Sequence, residues 1–204
     1  SDIIYSSAGE EYGLRAGDLK YVDLNGDGKI STGTNTVDNP GDRKLLGNSQ
    51  PRFQYGVNLG FNYLGIDFSM FLQGVGHIDW YPNPEALPFW GPYSRPYASF
   101  IPADFVDKVW SEENPDSYFP RPRGYIAMKT NRTLGAVNDR YLQNIGYCRL
   151  KNLTVGYTLP EKWMKKASIS QLRVYFSGEN LAYASPLKKN TRYVDPEQAM
   201  TAGN

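Results

Sequence analysis

Phe53-Gln54-Tyr55-Gly56-Val57-Asn58-Leu59-Gly60-Phe61-Asn62-Tyr63 alternates without a break: every odd position is apolar or aromatic, and every even one is Gln, Gly or Asn. Successive side chains of a strand point to opposite faces, so period two marks an extended segment with one apolar and one polar surface. After Leu64-Gly65 the pattern resumes, with Ile66, Phe68, Met70 and Leu72 on one face and Asp67, Ser69 and Gln73 on the other. Phe71 is the exception. Two alternating runs joined by a tight Gly-containing turn predict an antiparallel hairpin over 53–63 and 66–76. Each run matches the ~9–11 residues that a tilted strand needs to cross a bilayer.

The same reading extends to the C-terminal third. Tyr147 to Leu159 places Leu153, Val155, Tyr157 and Leu159 opposite Asn152, Thr154, Gly156 and Thr158. Strict alternation puts Arg149 and Lys151 on the apolar parity, as expected where a strand leaves a bilayer. Pro160 to Lys166 reads as a short turn or helix, with Trp163 and lysines suited to a membrane interface. Leu172 to Leu181 is a fourth strand, with Leu172, Val174 and Phe176 opposite Arg173, Tyr175, Ser177 and Glu179.

Between these strands, composition indicates loops. Residues 1–52 are rich in Gly, Asp and Asn and lack periodicity, and 77–146 carry Pro82, Pro84, Pro88, Pro92, Pro96 and Pro102, which bar most of that stretch from strand or helix interiors. A two-turn helix is predicted at Ala103 to Trp110, where Pro102 precedes Phe105 and Val109 at a spacing of four. The connections at 64–65 and 160–170 are short, while 1–52, 77–146 and 182–204 are long or open-ended. Transmembrane barrels have short periplasmic turns and long extracellular loops, so the expected class is all-β, with antiparallel up-and-down strands and the long segments outside the cell. The competing architecture is a soluble sandwich whose apolar face packs on a second sheet.

Composition narrows function. In 204 residues, 22 Lys and Arg stand against 21 Asp and Glu, a formal charge of +1 that provides no basic field for nucleic acid. One cysteine, Cys148, excludes an intramolecular disulfide framework, and one histidine, His77, excludes most imidazole metal and triad chemistry. Cys148 is expected to be a buried small hydrophobe, and His77 a loop residue. No apolar run is long enough for a transmembrane helix, and residues 1–4 lack the form of a signal peptide. A barrel escapes that test because half of each strand is polar. The start without Met is expected of a piece of a longer chain. No phosphate-binding loop, zinc-protease motif or nucleophile elbow occurs, and Glu112, Glu113 and Asp116 have nothing to position them, so an enzyme is not expected.

Two groups of residues are candidate sites. Asp23-Leu24-Asn25-Gly26-Asp27-Gly28 matches the opening of a calcium loop, with side-chain oxygens at relative positions 1, 3 and 5 and Gly at 6. Lys29 would add its carbonyl and Ser31 its hydroxyl; position 12 is Thr34, so Asp38 or Asp42 would stand in for the missing bidentate acid. The alternative is an Asx-turn cluster without metal. Trp80, Tyr81, Trp90, Tyr93, Tyr97 and Trp110 could stack on a sugar or a partner protein, or pack the long loop on itself. Arg121, Arg123 and Arg132 share that ambiguity.

Several stretches in order resemble the SusC/RagA family of TonB-dependent transporters: Gly17 to Ile30, Asp42 to Asn48 with Pro51-Arg52-Phe53, Tyr55 to Gly74, Arg149 to Pro160, and Leu172 to Leu181. The match covers about Gly17 to Glu197 and falls in that family's C-terminal portion. The resemblance implies a roughly 22-stranded barrel in the bacterial outer membrane, with an N-terminal plug not found here. It also implies glycan or peptide import, a SusD-like surface lipoprotein as a lid, and TonB as the energy source. The chain stops at Asn204 without the aromatic-ended final strand such barrels carry, so a fragment is expected. The rival function is a soluble, calcium-stabilised carbohydrate-binding β-module.

Overall fold

The structure, a computed structural model, describes Ile4, Tyr5 and residues 15–94, 101–128, 134–166 and 168–201. The chain divides into two compact units: residues 48–80 with 144–204, and residues 1–47 with 81–143.

The first unit contains one four-stranded antiparallel sheet in the order β1-β2-β3-β4, a meander in chain order. β1 is Gln54–Tyr63, β2 Ile66–Val75, β3 Tyr147–Thr158 and β4 Arg173–Ala184. The predicted hairpin is present in the expected register, with Tyr55 opposite Gly74, Val57 opposite Leu72, Leu59 opposite Met70 and Phe61 opposite Phe68. Residues directly opposite in an antiparallel pair share a face, so these side chains form one surface. The Phe61 and Phe68 rings stack there at 5.1 Å. Leu64 and Gly65 both have positive φ, 47° and 86°, the backbone of a two-residue turn whose twist suits a hairpin.

Strict alternation fails in β3, and the reason is a β-bulge. Phe71 pairs with Asn152, but the next residue, Leu72, pairs with Leu150, which leaves Lys151 as an extra residue. A bulge reverses the parity beyond it. Arg149 therefore pairs with Gln73 on the polar face, Lys151 joins it there, and Leu150 and Cys148 continue the apolar face opposite Leu72 and Gly74. The expectation of Arg149 and Lys151 on the apolar parity is thus corrected. β4 carries a matching irregularity: Glu179 pairs with Asn152 and Ala182 with Leu150, with Asn180 between them at φ 51°. That interruption hid the last turn of the pattern, and the strand runs to Ala184 rather than ending at Leu181. Beyond it come a 3-10 turn, Pro186–Lys189, and a short helix, Pro196–Thr201.

The second unit is a loop domain with an aromatic core. Phe89, Trp90, Tyr93, Phe105, Phe119, Leu134 and Tyr141 are all buried. Phe105 and Phe119 stack at 5.1 Å, Phe119 and Tyr141 at 5.9 Å, and Trp90 meets Tyr141 edge-on at 5.2 Å. Such offset and edge contacts suit the ring quadrupole. The helix predicted at Ala103 to Trp110 shrinks to a 3-10 turn, Val106–Lys108. Val109 turns extended, at ψ 139°, and bridges Phe119. Two turns do not repay helix nucleation, and the ring core takes Phe105 instead.

Candidate functional site

The sheet presents two unlike surfaces. On the apolar one, Val57 is 42 % exposed, Leu59 50 %, Phe61 55 % and Phe176 60 %. Among the described residues no second sheet is large enough to cover this face, since the other two sheets have two-residue strands. A contiguous apolar surface of this size exposed to water is unfavourable, which marks it as a surface built for an apolar neighbour. A soluble sandwich would require that neighbour to be a packed sheet, which the described residues do not supply.

On the polar face the side chains pair across strands. Asp67 of β2 and Arg173 of β4 meet over Gly156 of β3, with Arg173 Nε donating to Asp67 Oδ1 at 2.9 Å. A Cβ on Gly156 would lie 2.4 Å from Asp67 Oδ1 and 2.6 Å from an Arg173 nitrogen, so the pair depends on the missing side chain. The Arg173 guanidinium lies 4.6 Å from the Tyr175 ring centroid. Further along, the Thr154 and Ser177 hydroxyls share a hydrogen bond at 3.1 Å.

At the end of this face opposite the hairpin turn, the two bulge-turned cations meet carboxylates. Arg149 donates from one terminal nitrogen to both Asp195 oxygens at 2.7 Å, and Lys151 Nζ donates to both Glu197 oxygens at 2.7 and 2.9 Å. Asp195 also accepts from the Glu197 and Gln198 amides at 2.9 and 3.4 Å, the role of an N-cap ahead of Pro196. Burial opposes ionisation of Asp195, but the Arg149 hydrogen bonds and these amides outweigh it and hold the carboxyl below its ordinary range. Alternation alone could not reveal this cluster because the bulge conceals it. The sequence signal that could have found it is Asp195-Pro196-Glu197, an N-cap, N1 and N2 signature.

The calcium-like loop lies in the other unit. Asp23 accepts from the Gly26 and Gly28 amides at 2.6 and 2.8 Å, Asn25 Oδ1 from the Asp27 amide at 3.0 Å, and Asp27 Oδ1 from the Lys29 amide at 2.8 Å. Asp42, not Asp38, is the acid these hydrogen bonds tie to the loop, accepting from the Leu24 and Ser31 amides at 2.7 Å each. Lys29 and Asp38 are exposed. The Gly28 amide first, against slight burial, and then the Gly26 amide keep the Asp23 carboxyl below its ordinary range. Among the described residues, no three His, Cys, Asp or Glu side chains converge as a metal group. The donors suit a hard cation in chemistry, since all are oxygens, but in this conformation they serve backbone amides.

The candidate rings are distributed unevenly. Trp90 and Tyr93 are 0 % and 1 % exposed inside the ring core. Trp90 Nε1 donates to the Pro82 carbonyl at 3.0 Å, and the Tyr93 hydroxyl donates to the Pro120 carbonyl. Tyr81 donates to the Leu134 carbonyl at 2.8 Å and accepts from Asn138 at 2.9 Å. Burial pushes the Tyr81 and Tyr93 hydroxyls well above the ordinary phenol range, so both stay protonated donors. Trp80, in the sheet unit, is buried as well. Trp110 is half-buried against Gly17, with the Arg121 guanidinium 5.9 Å from its ring centroid. Arg123 Nε donates to Asp18 at 2.7 Å. Tyr97 and Arg132 lie outside the described residues. His77 sits beyond β2 and pairs with Asp79 at 2.7 Å. Cys148 is half-buried in β3 rather than enclosed, because its face is the uncovered one.

No known family model matches the chain. Over 163 residues, 79 % of the chain, it is 34 % identical to TonB-dependent receptor P3 of Formosa agariphila, of which it covers 14 %. Over 181 residues, 89 % of the chain, it is 29 % identical to TonB-dependent receptor P26 of the same organism, of which it covers 16 %. The chain therefore spans about one seventh of the length of these relatives. Among solved structures, it is similar to the RagAB peptide transporter, at 22 % identity and TM-score 0.47, covering 73 % of this chain and 15 % of that one.

Proposed function

We propose, from the premise that this chain is a relative of one segment of the TonB-dependent receptors, that it forms part of the wall of an outer-membrane importer. The carrying observation is the four-stranded meander whose apolar face is uncovered among the described residues while its opposite face pairs Asp67 with Arg173 and Thr154 with Ser177. Backbone groups can cross a bilayer only in helices or closed barrels, and a wall with one lipid-compatible and one hydrated face fits the second. In this reading the sheet is a C-terminal part of a roughly 22-stranded barrel. The turn at 64–65 and the connection at 160–170 face the periplasm, and the residues of the aromatic unit lie outside the cell.

The complete protein would import a glycan or a peptide, with a SusD-like lipoprotein covering the outer mouth and TonB acting through parts of the protein beyond this chain. Its role is passage and recognition, not bond chemistry. Among the described residues, Trp110, half-buried beside Arg121, is the candidate ring best placed to meet substrate or lipoprotein. Calcium would engage Asp23, Asn25, Asp27 and Asp42, with the Lys29 carbonyl and Ser31 hydroxyl, and would brace the loop against its neighbours. The reading is tested in cells producing the complete protein. The expected result is TonB-dependent uptake of either a labelled oligosaccharide or a labelled oligopeptide, with the protein in the outer-membrane fraction and heat-modifiable on gels. A protein recovered in the soluble fraction would contradict it.

A further inference from the structure

Residues 185–201 do not continue away from the sheet. They fold back over the polar face at the end opposite the hairpin turn. The Ser185 hydroxyl donates to the Gly146 carbonyl at 2.7 Å, and Lys188 lies 3.7 Å from the Tyr183 ring centroid while donating to the Tyr183 carbonyl. Leu187, Pro196 and Ala199 are buried, and so are Tyr147 and Arg149 of the wall beneath, whereas Asn152 further along the same face is exposed. The segment is a strap, and its two acids sit on the two cations that the bulge turns inward.

The closure is incompletely satisfied. The Tyr147 hydroxyl and Arg149 Nε are buried without a hydrogen-bond partner, although Nε lies 3.4 Å from Glu197 Oε2. Arg149 Nε can only donate and the Tyr147 hydroxyl can donate, so an added acceptor would satisfy either. A buried donor left unmade is unfavourable, and a charged acceptor would be the strongest group to satisfy it. A planar guanidinium and an ammonium two residues apart already hold two carboxylates here, in the geometry that recognises carboxylates in general.

We propose that Arg149 and Lys151 form a carboxylate-binding site on the polar wall, which Asp195 and Glu197 fill when the strap is closed, and that a solute with closely spaced carboxylates displaces the strap. The proposal rests on reading the polar face as lumenal. An internal ligand of this kind would shield the cations from small anions yet yield to a ligand that supplies more acceptors than the strap does.

The test uses the complete protein in outer-membrane vesicles, in a Cys148→Ser background, with Ala199→Cys as a reporter buried within the closed strap. Labelling by a water-soluble maleimide is expected to be slow, and to rise at least tenfold with Asp195→Asn plus Glu197→Gln. Tri-glutamate is expected to accelerate labelling several-fold over sodium chloride of equal ionic strength, and Lys151→Gln to abolish that difference. Equal rates in tri-glutamate and sodium chloride would overturn the proposal, as would rapid labelling of the unsubstituted strap. Heat-modifiable mobility checks that each variant is folded. A lipid-phase quencher that fails to reach a label at Val57→Cys would instead count against the barrel reading, so the two failures are distinguishable.

Discussion

At Gly156 the missing side chain decides an interaction between two other strands. A Cβ there would occupy the place of the Asp67 carboxylate, and the Arg173 guanidinium cannot retreat without leaving Tyr175. The ion pair itself is partly exposed and screened by solvent, so its charge contributes little to stability. Steric displacement adds to that loss, but it falls on the free ends of two side chains that can swing aside, so Gly156→Val is expected to destabilise by only ~1 kcal/mol. Asp67→Asn in the same protein should cost less, and unfolding midpoints in urea with detergent would rank the two. The opposite order would mean that charge, not space, governs the site. In the aromatic unit, Trp90 is fully buried among Phe89, Phe119 and Tyr141. Trp90→Ala is expected to remove ~3–5 kcal/mol from that unit. Limited proteolysis should then cleave within 81–143 while heat-modifiable mobility survives. Unchanged protection would show that the ring core does not hold the loop together.

At the scale of a strand, the two faces predict opposite responses to the same charge. Val57 is mid-strand on the apolar face and Asn58 is its neighbour on the polar one. Arg at position 57 should cost ~2–4 kcal/mol if that face meets lipid near the midplane, while Arg at 58 is tolerated for folding. Outer-membrane yield of Val57→Arg and Asn58→Arg measures the difference, and equal yields would contradict it. The hairpin was legible because period two and a two-residue turn leave one register for Phe53 to Leu72. β3 was half legible: Leu153, Val155 and Tyr157 follow the pattern, but a bulge at Lys151 adds a residue that no periodicity announces. The Arg149 and Lys151 cluster was lost with it, and Ala182–Ala184 were lost behind Asn180. For the rings, composition signals aromatic richness but not which rings enclose one another. That depends on contacts such as Trp90 to Tyr141, 51 positions apart in the sequence.

For the complete protein, the proposed barrel requires more strands than this sheet holds. β1 and β4 each pair on one side only among the described residues, and in the proposed barrel neither edge would be left unpaired in hydrocarbon. Chain beyond this segment, of which the relatives have about five to six times as much, would supply the neighbours on the barrel reading. The proposed barrel wall turns odd residues of β1 toward lipid and even residues toward water. It is tested most directly with single cysteines at Tyr55, Gly56, Val57, Asn58, Leu59 and Gly60, one at a time, in a Cys148→Ser background of the complete protein in liposomes. Water-soluble thiol reagents should label positions 56, 58 and 60, and a lipid-partitioned quencher should dim fluorophores at 55, 57 and 59. If the lipid probe reaches neither set, the strands do not line a membrane wall and the account is contradicted.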